Sequence, residues 1–160
     1  MSIAPKRQSI DCTPLLAEQP EVEGVAPSDY ILKALELAIK PGECVAIIGR
    51  TGAGKSSLLA AILGEIYAAP GSKVSVNGSM AYVSQKPWIT SSTIKDVILF
   101  GKEYHAERFE ACLEYSGLKS DLVEIQNGVD TMLGEQGVNL SGGQQMRLGL
   151  ARAFYSEADV

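Results

Sequence analysis

Gly49-Arg50-Thr51-Gly52-Ala53-Gly54-Lys55-Ser56 is the stretch on which the fold turns. It matches GxxxxGK[ST], follows an apolar run at residues 44–48 and opens a helical pattern over residues 56–63, so it reads as strand, glycine turn and helix start. A phosphate chain carries several negative charges. It binds where backbone N–H groups converge and where the positive end of a helix, about +0.5 charge, points at it. Glycines at 49, 52 and 54 permit that convergence, because without a Cβ they take positive φ and let the backbone wrap close to the oxygens. Lys55 then reaches the β and γ phosphates, and the Ser56 hydroxyl is a ligand for Mg²⁺.

Outward from this loop, Leu35, Leu37 and Ile39 alternate with Glu36 and Ala38 as a half-buried strand does, and Lys40-Pro41-Gly42-Glu43 turns the chain into the buried strand expected at 44–48. Tyr30, a few residues earlier, is either a packing residue or a ring to stack on a purine. Beyond a helix end near Gly64, Val74 and Val76 lead into Asn77-Gly78, with a second apolar run at 80–83, the pattern of a tight hairpin. Helical patterns follow at 92–100 (Ile94, Val97 and Ile98 on one face), 107–116 (Phe109, Cys112 and Leu113), stopped by Gly117, and 120–125. A last, long helix is expected at 145–156, with apolar positions that include Met146, Leu150 and Phe154.

The chain has 160 residues, 46% of them hydrophobic, which suits one globular domain or a large piece of one. A net charge of −5 and a pI near 4.9 exclude a broad surface for nucleic acid or anionic membrane, so phosphate recognition must be local. Cys12, Cys44 and Cys112 are widely spaced without CxxC pairing, which indicates neither a disulfide framework nor a zinc site and makes a reducing compartment the default. No apolar run nears the roughly 20 residues that span a bilayer, so contact with a membrane is expected through a partner or through polypeptide outside these residues. Residues 1–28 carry four prolines, mixed charge and no sustained period, and read as a linker or frayed arm.

Leu140-Ser141-Gly142-Gly143-Gln144 precedes the last helix. Its glycines and Ser141 are a plain N-cap or a second anion-binding surface, and the string alone does not choose. Taken with the first loop, it resembles the nucleotide-binding domain of ABC transporters, from about Leu35 onward: GRTGAGKS is similar to the Walker A loop, Gln85 to the Q-loop residue and LSGGQ to the signature. Residues 78–101 and 134–144 look like the C-type, multidrug-resistance-associated branch, most similar to its first nucleotide-binding domain.

The resemblance implies an α/β P-loop NTPase (ABC ATPase) core with an antiparallel β subdomain and a helical subdomain at about 90–140, within a partial domain at 29–160. It implies ATP and Mg²⁺ as cofactors. It carries phosphate contacts onto Gly49, Arg50, Thr51, Gly52, Ala53, Gly54, Lys55, Ser56 and Ser57. Mg²⁺ ligation falls on Ser56 and Gln85, the latter also in a catalytic coupling role. Contacts to the γ-phosphate of a facing domain fall on Ser141, Gly142, Gly143 and Gln144. The partners implied are a second nucleotide-binding domain, head to tail with the ATP sandwiched between, and transmembrane domains that export a substrate. The location implied is the cytoplasmic side of a membrane, with no nucleic acid as partner. Trp88 is a packing residue or a contact for the transmembrane coupling helices. Arg147 and Arg152 stand where the family has arginines, or form a solvated face.

The resemblance stops at Ala158-Asp159-Val160, where the family's next strand begins. The Walker B aspartate and catalytic glutamate are expected beyond it. Asp159 precedes that strand and is not the metal ligand, and His105 is expected to be solvated. A polypeptide of these residues alone is expected to bind nucleotide and hydrolyse it poorly. Gln145 departs from the lysine common after the signature, and Gly24 to Ser28 offer no adenine-stacking aromatic. A degenerate regulatory module, or an ABC ATPase that does not transport, are the alternative functions. Residues 57–140 lack the heptads of the coiled-coil ABC ATPases.

Overall fold

A computed structural model describes residues 32–33, 35–67, 69, 71–134 and 139–160. These fall into two compact units, one ending at Asn77 and one starting at Gly78. The arm expected at 1–28 and Tyr30 lie outside the described residues.

In the first unit, α1 (Lys55–Ile62) is built from the Leu- and Ala-rich run after Gly54. Its C-terminal carbonyls are closed by Glu65 N–H donating to Ala60 O (2.8 Å) and Gly64 N–H to Ala61 O (3.1 Å), the paired bonds of a glycine-terminated helix. The turn expected at residues 40–43 forms. Glu43 N–H donates to Lys40 O at 3.1 Å, the Glu43 carboxylate accepts from Lys40 N–H at 2.9 Å, and Gly42 has φ 82°, which a type II turn requires of its third residue.

The strands expected at 35–39, 44–48, 74–76 and 80–83 are not formed among the described residues. The side chains of 44–48 are exposed, Ile48 at 91%. The difference from the turn has a physical cause. A four-residue turn closes with its own atoms, whereas a strand exists through a ladder to another segment and, in a parallel sheet, through layers covering both faces.

The second unit packs four helices on one core. Thr93 caps α2 (Ile94–Leu99), its hydroxyl accepting from Asp96 N–H at 3.0 Å and donating to the Asp96 carboxylate at 2.6 Å. Then come α3 (Ala106–Tyr115), α4 (Leu118–Leu122), a 3₁₀ turn at Gly128–Asp130 and α5 (Gly142–Tyr155). Gly117, at φ 72°, ends α3 and starts α4 two residues ahead of the start read from sequence. Ile94, Val97 and Ile98 of α2 and Phe109, Cys112 and Leu113 of α3 are buried in one core, as their helical spacing predicts, with both helices packed on α5 and with Leu118, Leu133, Leu148, Ala151 and Tyr155 completing it. Burying each large side chain contributes about 1.5–3 kcal/mol. Burial also pushes the Cys112 thiol pKa up, which keeps it protonated as a packing group.

The inward face of α5 differs from the positions singled out in the sequence. Leu148, Ala151 and Tyr155 are buried, whereas Phe154 is 45% exposed. Both stripes are apolar. The buried one lies beside Gly149, whose lack of a side chain lets residues 83–87 approach: a Cβ there would lie 3.0 Å from Val83 Cγ1 and 3.0 Å from Pro87 Cβ. Gly149→Val is therefore expected to cost about 1–3 kcal/mol by overpacking against a rigid proline ring. A denaturation midpoint equal to that of the wild type would rule this out.

Near the C-terminal end of the described chain, Val160 N–H donates to Ser79 O (3.0 Å) and Ala81 N–H donates to Val160 O (2.8 Å). One residue bonded between two of its neighbour is the alternation of a parallel ladder. Ser79 N–H and its hydroxyl also donate to the Asp159 carboxylate, at 3.0 and 2.9 Å. Asp159 is thus engaged in joining backbone segments.

Candidate functional site

The loop at 49–54 is shaped by its glycines. Gly52 (φ 82°) and Gly54 (φ 84°) occupy the left-handed region that a side chain disfavours, and Ala53 N–H closes a turn onto Arg50 O at 3.1 Å. Gly54 is the residue before α1, and no side chain caps that helix start. The Lys55 ammonium folds back over the loop and donates to Gly49 O (2.9 Å) and Arg50 O (2.8 Å). A positive head group, a glycine turn and a helix N-terminus thus lie within one short stretch. Thr51, Ser56 and Ser57 belong to the same stretch, with Ser56 exposed and Ser57 half-buried. These residues fit a phosphate chain by their donor chemistry: an ammonium whose present partners are neutral carbonyls, next to amides at the positive end of a helix.

The second stretch, 141–144, starts α5 and is tied to itself. Ser141 Oγ accepts from Gln144 N–H at 3.3 Å while Gln144 Oε1 accepts from Ser141 N–H at 2.9 Å, a reciprocal capping box. Ser141 therefore caps the helix, and Gly142 and Gly143 lie exposed at its start. The approach to this turn is pinned by Asn139, whose amide accepts from Gly134 N–H (3.0 Å) and donates to Met132 O (3.0 Å). Asn139 was not singled out in the sequence, since its partners lie five and seven residues upstream.

Gln85 is exposed in a bend between Val83 and Pro87, the residues that pack on Gly149 of α5. Neither arginine expected on α5 forms a simple solvated face. Arg147 pairs with Asp121 through two hydrogen bonds, and Arg152 donates to Trp88 O at 2.8 Å while its guanidinium lies 5.5 Å from the Phe100 ring. Burial lowers the Arg152 pKa from its ordinary value. Trp88 and Phe100 meet edge to face at 6.1 Å and are 62% and 60% exposed. The His105 side chain is exposed, as expected.

The family model for the ABC transporter matches residues 32–160. The chain belongs to the ABC transporter family. It is 49% identical over 129 residues to ATP-binding cassette sub-family C member 4 of Homo sapiens, covering 81% of this chain and 10% of that protein. To ABC transporter C family member 3 of Arabidopsis thaliana it is 46% identical over 136 residues, 85% of this chain and 9% of that one. To ATP-binding cassette sub-family C member 2 of Mus musculus it is 46% identical over 129 residues, 81% and 8%. The chain thus spans about a tenth of the length of the curated relatives it matches. The ABC ATPase domain has the P-loop NTPase fold and, as a family, binds ATP, generally with Mg²⁺, and hydrolyses it. Among the described residues, no group of three or more His, Cys, Asp or Glu side chains could hold a metal ion, and no helix is long and apolar enough to cross a membrane.

Proposed function

We propose that this chain is the ATP-binding part of a sub-family C exporter, in which ATP binding and hydrolysis drive transmembrane transport of a substrate. The observation that carries this is the glycine loop at 49–54 with the Lys55 ammonium folded over it at the start of α1. Gly49, Arg50, Thr51, Gly52, Ala53, Gly54, Lys55, Ser56 and Ser57 wrap the phosphates. Lys55 exchanges its two loop carbonyls for phosphate oxygens. Ser56 and Gln85 would hold Mg²⁺, which would supply neutralisation of the phosphate charge.

The partner is a second nucleotide-binding domain facing this one head to tail. Ser141, Gly142, Gly143 and Gln144 contact the γ-phosphate held by the other domain, with the Gly142 and Gly143 amides as donors. Gln85 couples the phosphate site to transmembrane domains, and the exposed Trp88 and Phe100 rings are an apolar surface on which they can dock. The domain lies on the cytoplasmic side of the membrane. Its architecture combines an antiparallel β subdomain with a helical subdomain at about 90–140. The relatives' printed names, two ATP-binding cassette sub-family C members and an ABC transporter C family member, support this reading.

A polypeptide of these 160 residues should bind ATP through the loop at 49–57. Titration of the folded chain with Mg-ATP in a calorimeter is expected to give saturable heat with a one-to-one end point. An absence of heat at ligand concentrations well above those of other ATP sites would sink the proposal.

A further inference from the structure

Arg147 is buttressed in a way that the phosphate contacts alone do not call for. Its stem passes Gly117, where an added Cβ would lie 3.4 Å from Arg147 Cδ. Its head lies against Gly143, where an added Cβ would lie 3.5 Å from Nη1, 3.7 Å from Nη2 and 3.9 Å from Cζ. The guanidinium thus lies beside the second glycine of the turn that opens α5, reached by Arg147 from one helical turn further along.

Asp121 on α4 fixes the head in that place. Its carboxylate accepts from Arg147 Nε at 2.6 Å and from Nη2 at 2.8 Å, a fork-on-carboxylate pair that sets the plane of the guanidinium as well as its distance. The Asp121 side chain is only 14% exposed, so water competes little for it. Two adjacent glycines are the softest possible start to a helix, because neither has a side chain to restrict its backbone. The capping box restrains Ser141 and Gln144 on either side of them and leaves the glycine amides themselves unheld.

We propose that Arg147, clamped by Asp121, is a positioning residue that fixes the Gly142 and Gly143 amides in the direction from which they meet phosphate. This rests on the reading of 141–144 as the contact to nucleotide held by a facing domain.

The test uses the full chain with isotopic labelling. In the wild type without nucleotide, ¹⁵N relaxation should give Gly142 and Gly143 order parameters near 0.85, falling below about 0.6 in Asp121→Asn and in Arg147→Lys. Unchanged order in both variants overturns the proposal. The exchanged pair, Asp121→Arg with Arg147→Asp, separates positioning from mere cohesion: it restores an ion pair between α4 and α5 but removes the fork from beside Gly143. Its denaturation midpoint should recover towards the wild type while the glycine order stays low. Recovery of both overturns the proposal.

Mg-ATP-dependent pairing of chains, followed by sedimentation, should weaken about tenfold in Asp121→Asn, the size of one lost charge-oriented donor. Binding of ATP to each chain's own loop at 49–57 should be unchanged. If the wild type binds ATP without pairing, the facing-domain contact is refuted, and the glycine order still decides whether the clamp positions the turn.

Discussion

Lys55→Ala is expected to weaken Mg-ATP binding by about 30- to 150-fold. The Lys55 ammonium is the charged donor folded over the loop amides, and a charge-assisted hydrogen bond to an anion is worth roughly 2–3 kcal/mol, at about 1.4 kcal/mol per tenfold in affinity. The loss should not be inflated by collapse of the loop. The two carbonyls that Lys55 now engages, Gly49 O at 2.9 Å and Arg50 O at 2.8 Å, are exposed and can turn to water. Gly52 and Gly54 hold their conformations through the backbone, independent of the lysine. Lys55→Arg should not rescue, because a planar fork on a longer stem cannot occupy the place of a compact ammonium between the loop carbonyls. Calorimetry on both variants, with circular dichroism to show that they fold alike, checks this. An alanine variant that binds within about threefold of the wild type would remove Lys55 from the site, since so small a change is under 1 kcal/mol.

What could be read from the sequence was the chemistry that closes locally. The glycine loop, the turn at 40–43, the Gly117 break and the helices in the second unit each depend on bonds within a few residues; the first three are found where their residues call for them, and the helices form with shifted ends, α4 opening at Leu118 rather than 120 and α5 at Gly142 rather than 145. The inward faces of α2 and α3 were legible for the same reason, since a single apolar stripe leaves no choice. On α5 two stripes compete, and the choice was made by Gly149 and Ala151, which let residues 83–87 and the core approach. The strands were legible as patterns but not as pairs, because alternation names a face and says nothing of what covers it. Asp121 and Asn139 were missed, and the partners of Asp159 were not read, because those partners are distant along the chain or are backbone groups, and an isolated acid or amide in a polar run carries no periodic signal.

The same distinction between local and long-range bonding makes Tyr155 the residue whose loss should be felt most in the second unit. It is fully buried at the end of α5, yet its hydroxyl is used twice: it accepts from His105 N–H at 3.0 Å and donates to the Glu103 carbonyl, tying the connection between α2 and α3 to α5. Phe109 meets its ring edge to face at 6.1 Å, and the Arg108 guanidinium, paired with Glu157 at 2.6 Å, lies 4.8 Å from the ring centre. Lys102 donates to Ser156 O at 2.6 Å, placing a cation at the negative end of α5 beside it. Tyr155→Ala should therefore cost about 3–5 kcal/mol, most of it cavity and lost ring contacts, and Tyr155→Phe about 1–2 kcal/mol for the two backbone groups left without the hydroxyl. With domain stabilities of roughly 5–15 kcal/mol, the alanine variant should unfold at a much lower denaturant concentration with an unchanged m value. If phenylalanine proves as costly as alanine, the hydroxyl dominates, and the unit is held at this point by hydrogen bonding to the connection at 103–105 and only secondarily by the packed ring.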